Sequence, residues 1–254
     1  MMNRRVIPSL LLQGSGFYRT LKFKNPSYVG DPINTIRIFN DKEVDELMIL
    51  DITASKQNSA PNFEVLEEIA SESFVPMSYG GGLSQFEDIE KIFRLGYEKV
   101  ALGQATLTDP DLVRKASEHY GAQSVVGIVN VSKGLFGGKY GLYDYINKKR
   151  RKEPLDSWCH HLQELGVGEI LLHFADREGT GSGYDNTLIE SLSNDLDIPL
   201  ICLGGAKNEQ DFKLAFQKGA DAVAAGNFFV YHGPHKAVLI SYPTRQEILE
   251  IIHS

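Results

Sequence analysis

Residues 75–104, VPMSYGGGLSQFEDIEKIFRLGYEKVALGQ, and residues 198–227, IPLICLGGAKNEQDFKLAFQKGADAVAAGN, are one pattern written twice. Pro76 pairs with Pro199, Gly81 with Gly204, Gly82 with Gly205, Gly96 with Gly219, Ala101 with Ala224 and Gly103 with Gly226, and every pair lies 123 residues apart. The register continues upstream without a gap, because Glu46 in DELMILDI stands 123 residues before Glu169 in GEILLHFA. Self-similarity at a fixed offset signals a repeated structural unit. Two halves, 1–122 and 123–254, are therefore expected to build one domain over residues 1–254 with internal pseudo-two-fold symmetry.

A chain of 254 residues has the length of a single α/β (β/α)8 TIM barrel, typically about 250 residues. Apolar residues make up 42% and charged residues 23%, enough of the former for a large core. No apolar run approaches the roughly 20 residues that span a bilayer, so no membrane association is expected. The opening MMNRRVIPSLLLQGSG has the charge-then-apolar order of a signal peptide, but Pro8 and Ser9 interrupt its apolar part and a first strand is the better reading. Two cysteines, Cys159 and Cys202, form no disulfide framework and no metal-spaced pair. A cytoplasmic protein without metal or cofactor is expected. The net charge of −7 argues against a general nucleic-acid binder. One local exception, Lys148-Lys149-Arg150-Arg151-Lys152, is either a solvated loop tip or a contact for an anionic substrate or acidic partner.

Strands are expected at Val6–Leu12, Glu46–Ile52, Pro76–Tyr79, Lys99–Leu102, Ser124–Val131, Glu169–Phe174, Pro199–Leu203 and Ala222–Ala225, several of them continuously apolar as strands buried on both faces should be. Helices alternate with them. Asp31 and Pro32 open one that ends near Lys42, a second begins near Asn62, Ser84 caps a third running to Leu95, and others cover Pro110–Tyr120, Leu155–Leu165, Glu209–Lys218 and Thr244–Ile252. Strands alternating with helices require a parallel sheet, and eight of them close it. Gln13–Asp31 reads as a long glycine-rich loop, with 14–26 a candidate mobile cover. A second excursion, Ser132–Pro154, carries a hairpin signal at GGKYGLY.

In such a barrel the active face is formed by the loops after the strands. Gly204-Gly205 and Gly226-Asn227 in the second half, and Gly81-Gly82 and Gly103-Gln104 in the first, expose backbone N–H groups with no Cβ to keep an anion away. Two such sites across one mouth suit an elongated ligand phosphorylated at both ends. The bland alternative is that these glycines only make tight turns. Asp51, Asp176 and Glu178 fall at strand C-termini, where they could orient a substrate or merely cap loops. His173 points either into the mouth, as a candidate general base, or into helix packing.

VDELMILDITAS, the GGG turn, LGYEKVALGQA, GVGEILLHFADREGTGSGYD and GADAVAAGNFF together resemble the cyclase subunit of imidazole glycerol phosphate synthase, the HisF family. The resemblance covers Arg4 to about Phe229. It implies a glutaminase partner of the HisH kind, ammonia passing along the barrel axis, and a phosphate-bearing substrate held by Gly81, Gly82, Gly103, Gln104, Gly179, Thr180, Gly204, Gly205, Gly226 and Asn227. The family's two catalytic aspartates correspond to Leu11 and Asn130, neither of which transfers a proton. A lysine of the first loop corresponds to Arg19, and hydroxyl residues that grip phosphate correspond to Gln104 and Asn227. Asp51, Asp176 and His173 remain as catalytic candidates, His173 standing where the family carries a small hydroxyl residue. The family's ring of charges at the bottom of the barrel, through which ammonia enters, is retained as Arg5, Glu46, Lys99 and Glu169, with Asp45 and Glu98 beside it as expected partner contacts. A ring of this kind also serves stability alone in many barrels.

RVIPSLLLQGSGFYRTLKFKNPSYVGDPIN and FFVYHGPHKAVLISYP are in turn similar to HisF-related acetamidino-modification proteins of the AglZ and WbuZ type. That resemblance implies a barrel that supplies or conducts ammonia for converting a sugar N-acetyl group into an acetamidino group in surface-polysaccharide synthesis, together with a separate sugar amidotransferase. The expected substrate is a phosphorylated small molecule or a sugar nucleotide. Asn130 departs from that group too, where aspartate is common. His232, His235 and Lys236 belong to the distinguishing C-terminal tail and suit a partner or an anionic sugar nucleotide. Two rival readings stand beside this one. The first is the ordinary imidazole-forming cyclase of histidine synthesis, and the second is a non-catalytic scaffold that activates the glutaminase.

Overall fold

A computed structural model describes residues 4–134, 138–232 and 237–253. Eight parallel strands close a barrel: β1 (Arg5–Gln13), β4 (Leu47–Asp51), β5 (Met77–Gly80), β6 (Lys99–Leu102), β7 (Val125–Lys133), β10 (Glu169–Phe174), β11 (Leu200–Leu203) and β12 (Ala222–Ala225). Each is hydrogen-bonded to the next, and β12 returns to β1 with Arg5 opposite Ala222 and Pro8 opposite Ala225. The helices on the outside are α1 (Pro32–Asp41), α2 (Ala54–Gln57), α3 (Phe63–Glu72), α4 (Phe86–Arg94), α5 (Gln104–Thr108), α6 (Pro110–Tyr120), α7 (Leu155–Glu164), α8 (Asn186–Ser193), α9 (Glu209–Gln217), α10 (Asn227–Val230) and α11 (Arg245–Ile252). No helix among the described residues is long and apolar enough to cross a membrane.

The repeat is visible in the backbone. β5 and β11, β6 and β12, and α4 and α9 have the same lengths and begin 123 residues apart. Gly103 and Gly226 share one conformation, φ −109 and ψ −70 against φ −102 and ψ −71, each at the start of a short helix. Strands buried on both faces give two apolar layers. Ile7, Met48, Leu50, Ala101, Val126, Leu171, Ile201, Ala222 and Ala224 fill the barrel, and a larger shell including Phe39, Ile69, Ile92, Phe174 and Phe212 joins strands to helices.

Helix starts follow local chemistry. Asp31 accepts from Asn34 N at 2.9 Å with Pro32 next, Asn208 and Asp211 form a capping box, and so do Thr244 and Glu247. Ser84 does not cap α4: the N-cap is Gln85, without a side-chain bond, and the helix relies on Glu87 and Asp88 at its start and Lys91 and Arg94 at its end. Four short helices, α2, α5, α8 and α10, are not among those expected; α2, α5 and α10 have only four or five residues, and α8 buries Ile189 and Leu192.

The stretch after β1 is not the unstructured loop that its glycines suggest. It forms β2 (Gly16–Leu21) and β3 (Lys24–Gly30), antiparallel to each other, with β2 also pairing β1 through Leu12 and Phe17. The second excursion is a hairpin as expected, β7 pairing antiparallel with β8 (Tyr140–Asp144) and β8 with β9 (Lys149–Arg150). A two-stranded piece, β13 (Tyr231–His232) with β14 (Ala237–Val238), follows α10.

Gly205, after β11, has φ +111, and a Cβ there would stand 2.3 Å from the Gly183 carbonyl oxygen. Gly96 has φ +98 with open space around it. Gly205→Ala is expected to cost about 2 kcal/mol or more, through steric clash added to backbone strain, and Gly96→Ala less. Urea unfolding of the two variants beside the unaltered protein checks the order.

Candidate functional site

At the end of the barrel where the strands begin, Arg5, Glu46, Lys99 and Glu169 alternate in sign around the axis. Arg5 donates to Glu46 Oε2 at 2.6 Å and to Glu169 Oε1 at 2.8 Å, while Lys99 Nζ reaches Glu46 at 3.3 Å and Glu169 at 3.2 Å. Each charge therefore faces two opposite charges. Burial alone would lower the Arg5 pKa, but Glu169 and Glu46 outweigh it and hold the guanidinium above its ordinary value. Arg5, Asp45, Glu46, Pro76, Met77, Glu98 and Lys99 line a cavity of about 220 Å³ at this face, so the two expected partner contacts adjoin the ring. Tyr242 from the C-terminal segment donates to the Val6 carbonyl at 2.8 Å and lies 3.5 Å from Asp45.

At the opposite end a cavity of about 90 Å³ opens among the loops that follow the strands. Leu11, Leu50 and Ile128 line it beside Asn130, so the two positions expected to correspond to the family's acids face the mouth. Gly81, Gly103 and Gln104 also line it. Asp51 is at its edge, but Asp51 Oδ1 accepts from Thr53 N, Thr53 Oγ1 and Ala54 N at 2.8–2.9 Å, which is a turn-capping role.

Two hairpin tips fold over this mouth. Phe23, held in a left-handed conformation at the β2–β3 turn, packs 4.6 Å from His173 and 6.3 Å from Tyr145, ring centre to ring centre. His173 does point into the mouth, where it is buried. Loss of solvation pushes its pKa down to about 3, so the imidazole is neutral at pH 7, and its Nε2 has no hydrogen-bond partner among the described residues.

His173 also borders a second cavity of about 40 Å³, with Ser9, Arg19, Glu178, Gly226 and Asn227. Asn227 Nδ2 donates to the Gly179 carbonyl at 3.2 Å, and Thr180 Oγ1 donates to the Arg177 carbonyl at 2.6 Å. The Arg19 guanidinium lies 5.0 Å over the Tyr231 ring. Gly204 and Gly205, at φ +103 and +111, approach the backbone of Phe174 and of Gly183 too closely for any Cβ. Asp176 Oδ2 accepts from Lys133 N at 3.3 Å, leaving a buried Oδ1 without a partner. Arg177 is committed to Tyr140, Asp185 and nearby carbonyls. Glu178 ties down the first hairpin, its Oε2 accepting from Thr20 Oγ1 at 2.8 Å and Phe23 N at 3.4 Å. The side chain of His232, and all of His235 and Lys236, lie outside the described residues.

The family described as histidine biosynthesis proteins matches residues 5–236. The chain belongs to that family, in its HisF branch. It is 49% identical over 244 residues, 96% of this chain and 97% of the other, to a Pseudomonas aeruginosa protein provisionally named imidazole glycerol phosphate synthase subunit hisF2. A Leptospira interrogans protein with the provisional name of subunit HisF is 39% identical, over 97% of this chain and 98% of its own. The imidazole glycerol phosphate synthase subunit HisF of Alkaliphilus metalliredigens, named without that qualification, is 34% identical over 91% and 92%.

Within this HisF-family barrel, Phe23, Ser55, Lys56 and Tyr145 at the mouth escaped the sequence reading. Phe23 and Tyr145 reach it on hairpin turns whose course is set by tertiary pairing, and Ser55 and Lys56 on the short helix α2; no local motif marks them. Glu178 carries a testable consequence. Burial raises its pKa above the ordinary 4.5, against the opposing hydrogen bonds from Thr20 and the backbone. A carboxyl whose folded-state pKa is raised contributes stability in full below its unfolded pKa and loses it as pH rises through the folded value. Stability is thus expected to carry a falling component above pH 4.5 that Glu178→Gln removes, since glutamine can still accept from Thr20 and Phe23. Urea titrations of both proteins across the acid-to-neutral range measure it.

Proposed function

We propose that this HisF-family barrel is the ammonia-receiving subunit of a glutamine-dependent complex, serving acetamidino modification of a surface-polysaccharide sugar. A glutaminase of the HisH kind docks on the face that carries Arg5, Asp45, Glu46, Glu98, Lys99 and Glu169. Ammonia released there enters past the charged ring and travels the axis to the mouth. The barrel, or a sugar amidotransferase attached to it, then uses that ammonia on the N-acetyl group.

One contrast carries the reading: the ring at the closed end is complete, while the two mouth positions that correspond to the family's acids are Leu11 and Asn130. Leu11 has no proton to give and the Asn130 amide does not titrate in water. Asp51 is engaged in capping, Glu178 in holding the first hairpin, and His173 is buried beside Phe23 and neutral. General acid and base groups each contribute about 10²–10⁴-fold to a rate, so imidazole ring closure in this mouth lacks its main chemical assistance. A charged ring that served only stability would be replaceable by apolar residues at little cost. Its retention beside a changed mouth favours ammonia handling over a scaffold role.

A cyclase in histidine synthesis is the second reading, favoured by the family match and by the names of the relatives. The purified chain, given the imidazole-pathway ribulosyl substrate and free ammonium salt, is expected to consume none above background. Saturable turnover would return the protein to histidine synthesis. With its glutaminase present, Lys99→Ala is expected to lower glutamine-dependent product formation while product formation from added ammonium is kept; equal rates from glutamine would remove the conduit.

A further inference from the structure

The glycine turn of the first half is already occupied by the protein itself: Gly82 N–H donates to Ser55 Oγ at 3.0 Å. Ser55 is also hydrogen-bonded to the Tyr145 phenol, so this turn is tied to the tip of the second hairpin. An anion approaching Gly82 would have to displace a bond that the protein makes to itself. The next residue along α2 offers an alternative. Lys56 lines the mouth cavity, and its Nζ lies 5.9 Å from the centre of the Tyr145 ring.

Lys148 belongs to the same hairpin tip as Tyr145, held at φ 52 where the chain turns into β9. Lys56 is exposed along its chain, yet partial loss of water around its ammonium, and then the charge of Lys148, hold its pKa below the ordinary lysine value. Neither lysine has a carboxylate partner among the described residues. The two arginines of the basic run are engaged elsewhere: Arg150 donates to the Lys139 carbonyl, and Arg151 pairs with Glu153. The charge of Lys148 acts unfavourably on Lys56, and an anion bound by both lysines would remove that cost. Beneath them the mouth is largely apolar, with the rings of Phe23, Tyr145 and His173 on its walls, Leu11, Leu50 and Ile128 below, and the Asp51 carboxylate at its edge engaged in capping bonds to Thr53 and Ala54.

We propose that Lys56 and Lys148 form an anion-binding subsite at the rim of the mouth, taking the phosphate or diphosphate group of a ligand whose uncharged ring lies against Phe23, Tyr145 and His173. The inference deepens the reading of the mouth as a substrate site and is independent of how ammonia reaches it. Aromatic faces and a lysine pair together select a phosphorylated ring compound over the open-chain ligand phosphorylated at both ends that two free glycine turns would suit.

Inorganic pyrophosphate and uridine diphosphate, titrated calorimetrically into the full chain at one fixed ionic strength, test this. Saturable binding of both is expected, with Lys56→Ala or Lys148→Ala weakening each by about tenfold or more and Lys149→Ala by less than about twofold. Phe23→Leu is expected to weaken uridine diphosphate and leave pyrophosphate unchanged. All three lysines are exposed, so thermal unfolding of the variants should match the unaltered protein. Absence of saturable binding, unchanged affinity in Lys56→Ala, or an equal loss in Lys149→Ala overturns the lysine pair, and equal binding of uridine diphosphate by Phe23→Leu overturns the ring-stacking half. Neither probe involves ammonia or a glutaminase, so these outcomes stand apart from the cyclase and conduit assays.

Discussion

The parallel pairing of β12 with β1 is the constraint on which the rest of the molecule depends. Arg5 stands opposite Ala222 and Pro8 opposite Ala225, so the first and last barrel strands meet without an edge. Closure is what brings Arg5 within reach of both Glu46 and Glu169, which lie 41 and 164 residues away along the chain. At the other end the same pairing sets β1 beside Gly226, whose added Cβ would lie 3.1 Å from the Ser9 carbonyl oxygen. Both ends are thus products of one register. A slip of one residue would turn the inward side chains outward and separate the four charges.

Those charges would be costly if they were independent. Side-chain exposures of 5–19% leave them little water, and a partly buried ion without a partner costs several kcal/mol. Alternation of sign removes most of that cost, because every member sees two opposite neighbours and no like neighbour is adjacent. Removing one member leaves its two partners facing each other. The ring is therefore a unit, and its energetics are expected to be strongly non-additive between members.

Much of this architecture was legible from the repeat, because tight turns and continuously apolar strands are local demands. Gly81, Gly82, Gly96 and their partners at 204, 205 and 219 all have positive φ, which only glycine adopts without strain. Caps such as Asp31 and Asn208 were legible for the same reason. The β2–β3 hairpin was not, because Gly14 and Gly16 look like flexible-loop residues until β1 supplies a strand for β2 to pair with. The ring and the replaced acids at Leu11 and Asn130 followed from family resemblance; the aromatic canopy did not. Phe23 and Tyr145 meet over His173 only because two separate hairpins bend toward the same axis.

That canopy changes what the mouth can do. Phe23 against one face of His173, with apolar residues below, removes the water that would stabilise an imidazolium, and the ring becomes a neutral hydrogen-bonding group. A neutral imidazole does not protonate a passing ammonia molecule, whereas a charged one, or an aspartic acid in the positions of Leu11 and Asn130, could turn it into unreactive ammonium. Ring closure of an imidazole requires proton transfers, and an environment that depresses the one histidine at the mouth works against them. Delivery of free ammonia, as proposed, is helped instead by the apolar side chains of Ile7, Met48, Leu50, Val126, Leu171 and Ile201 that fill the barrel between the ring and the mouth. Under the proposed function these features of the mouth agree with each other: Leu11 and Asn130 offer no proton, and a neutral His173 does not protonate ammonia.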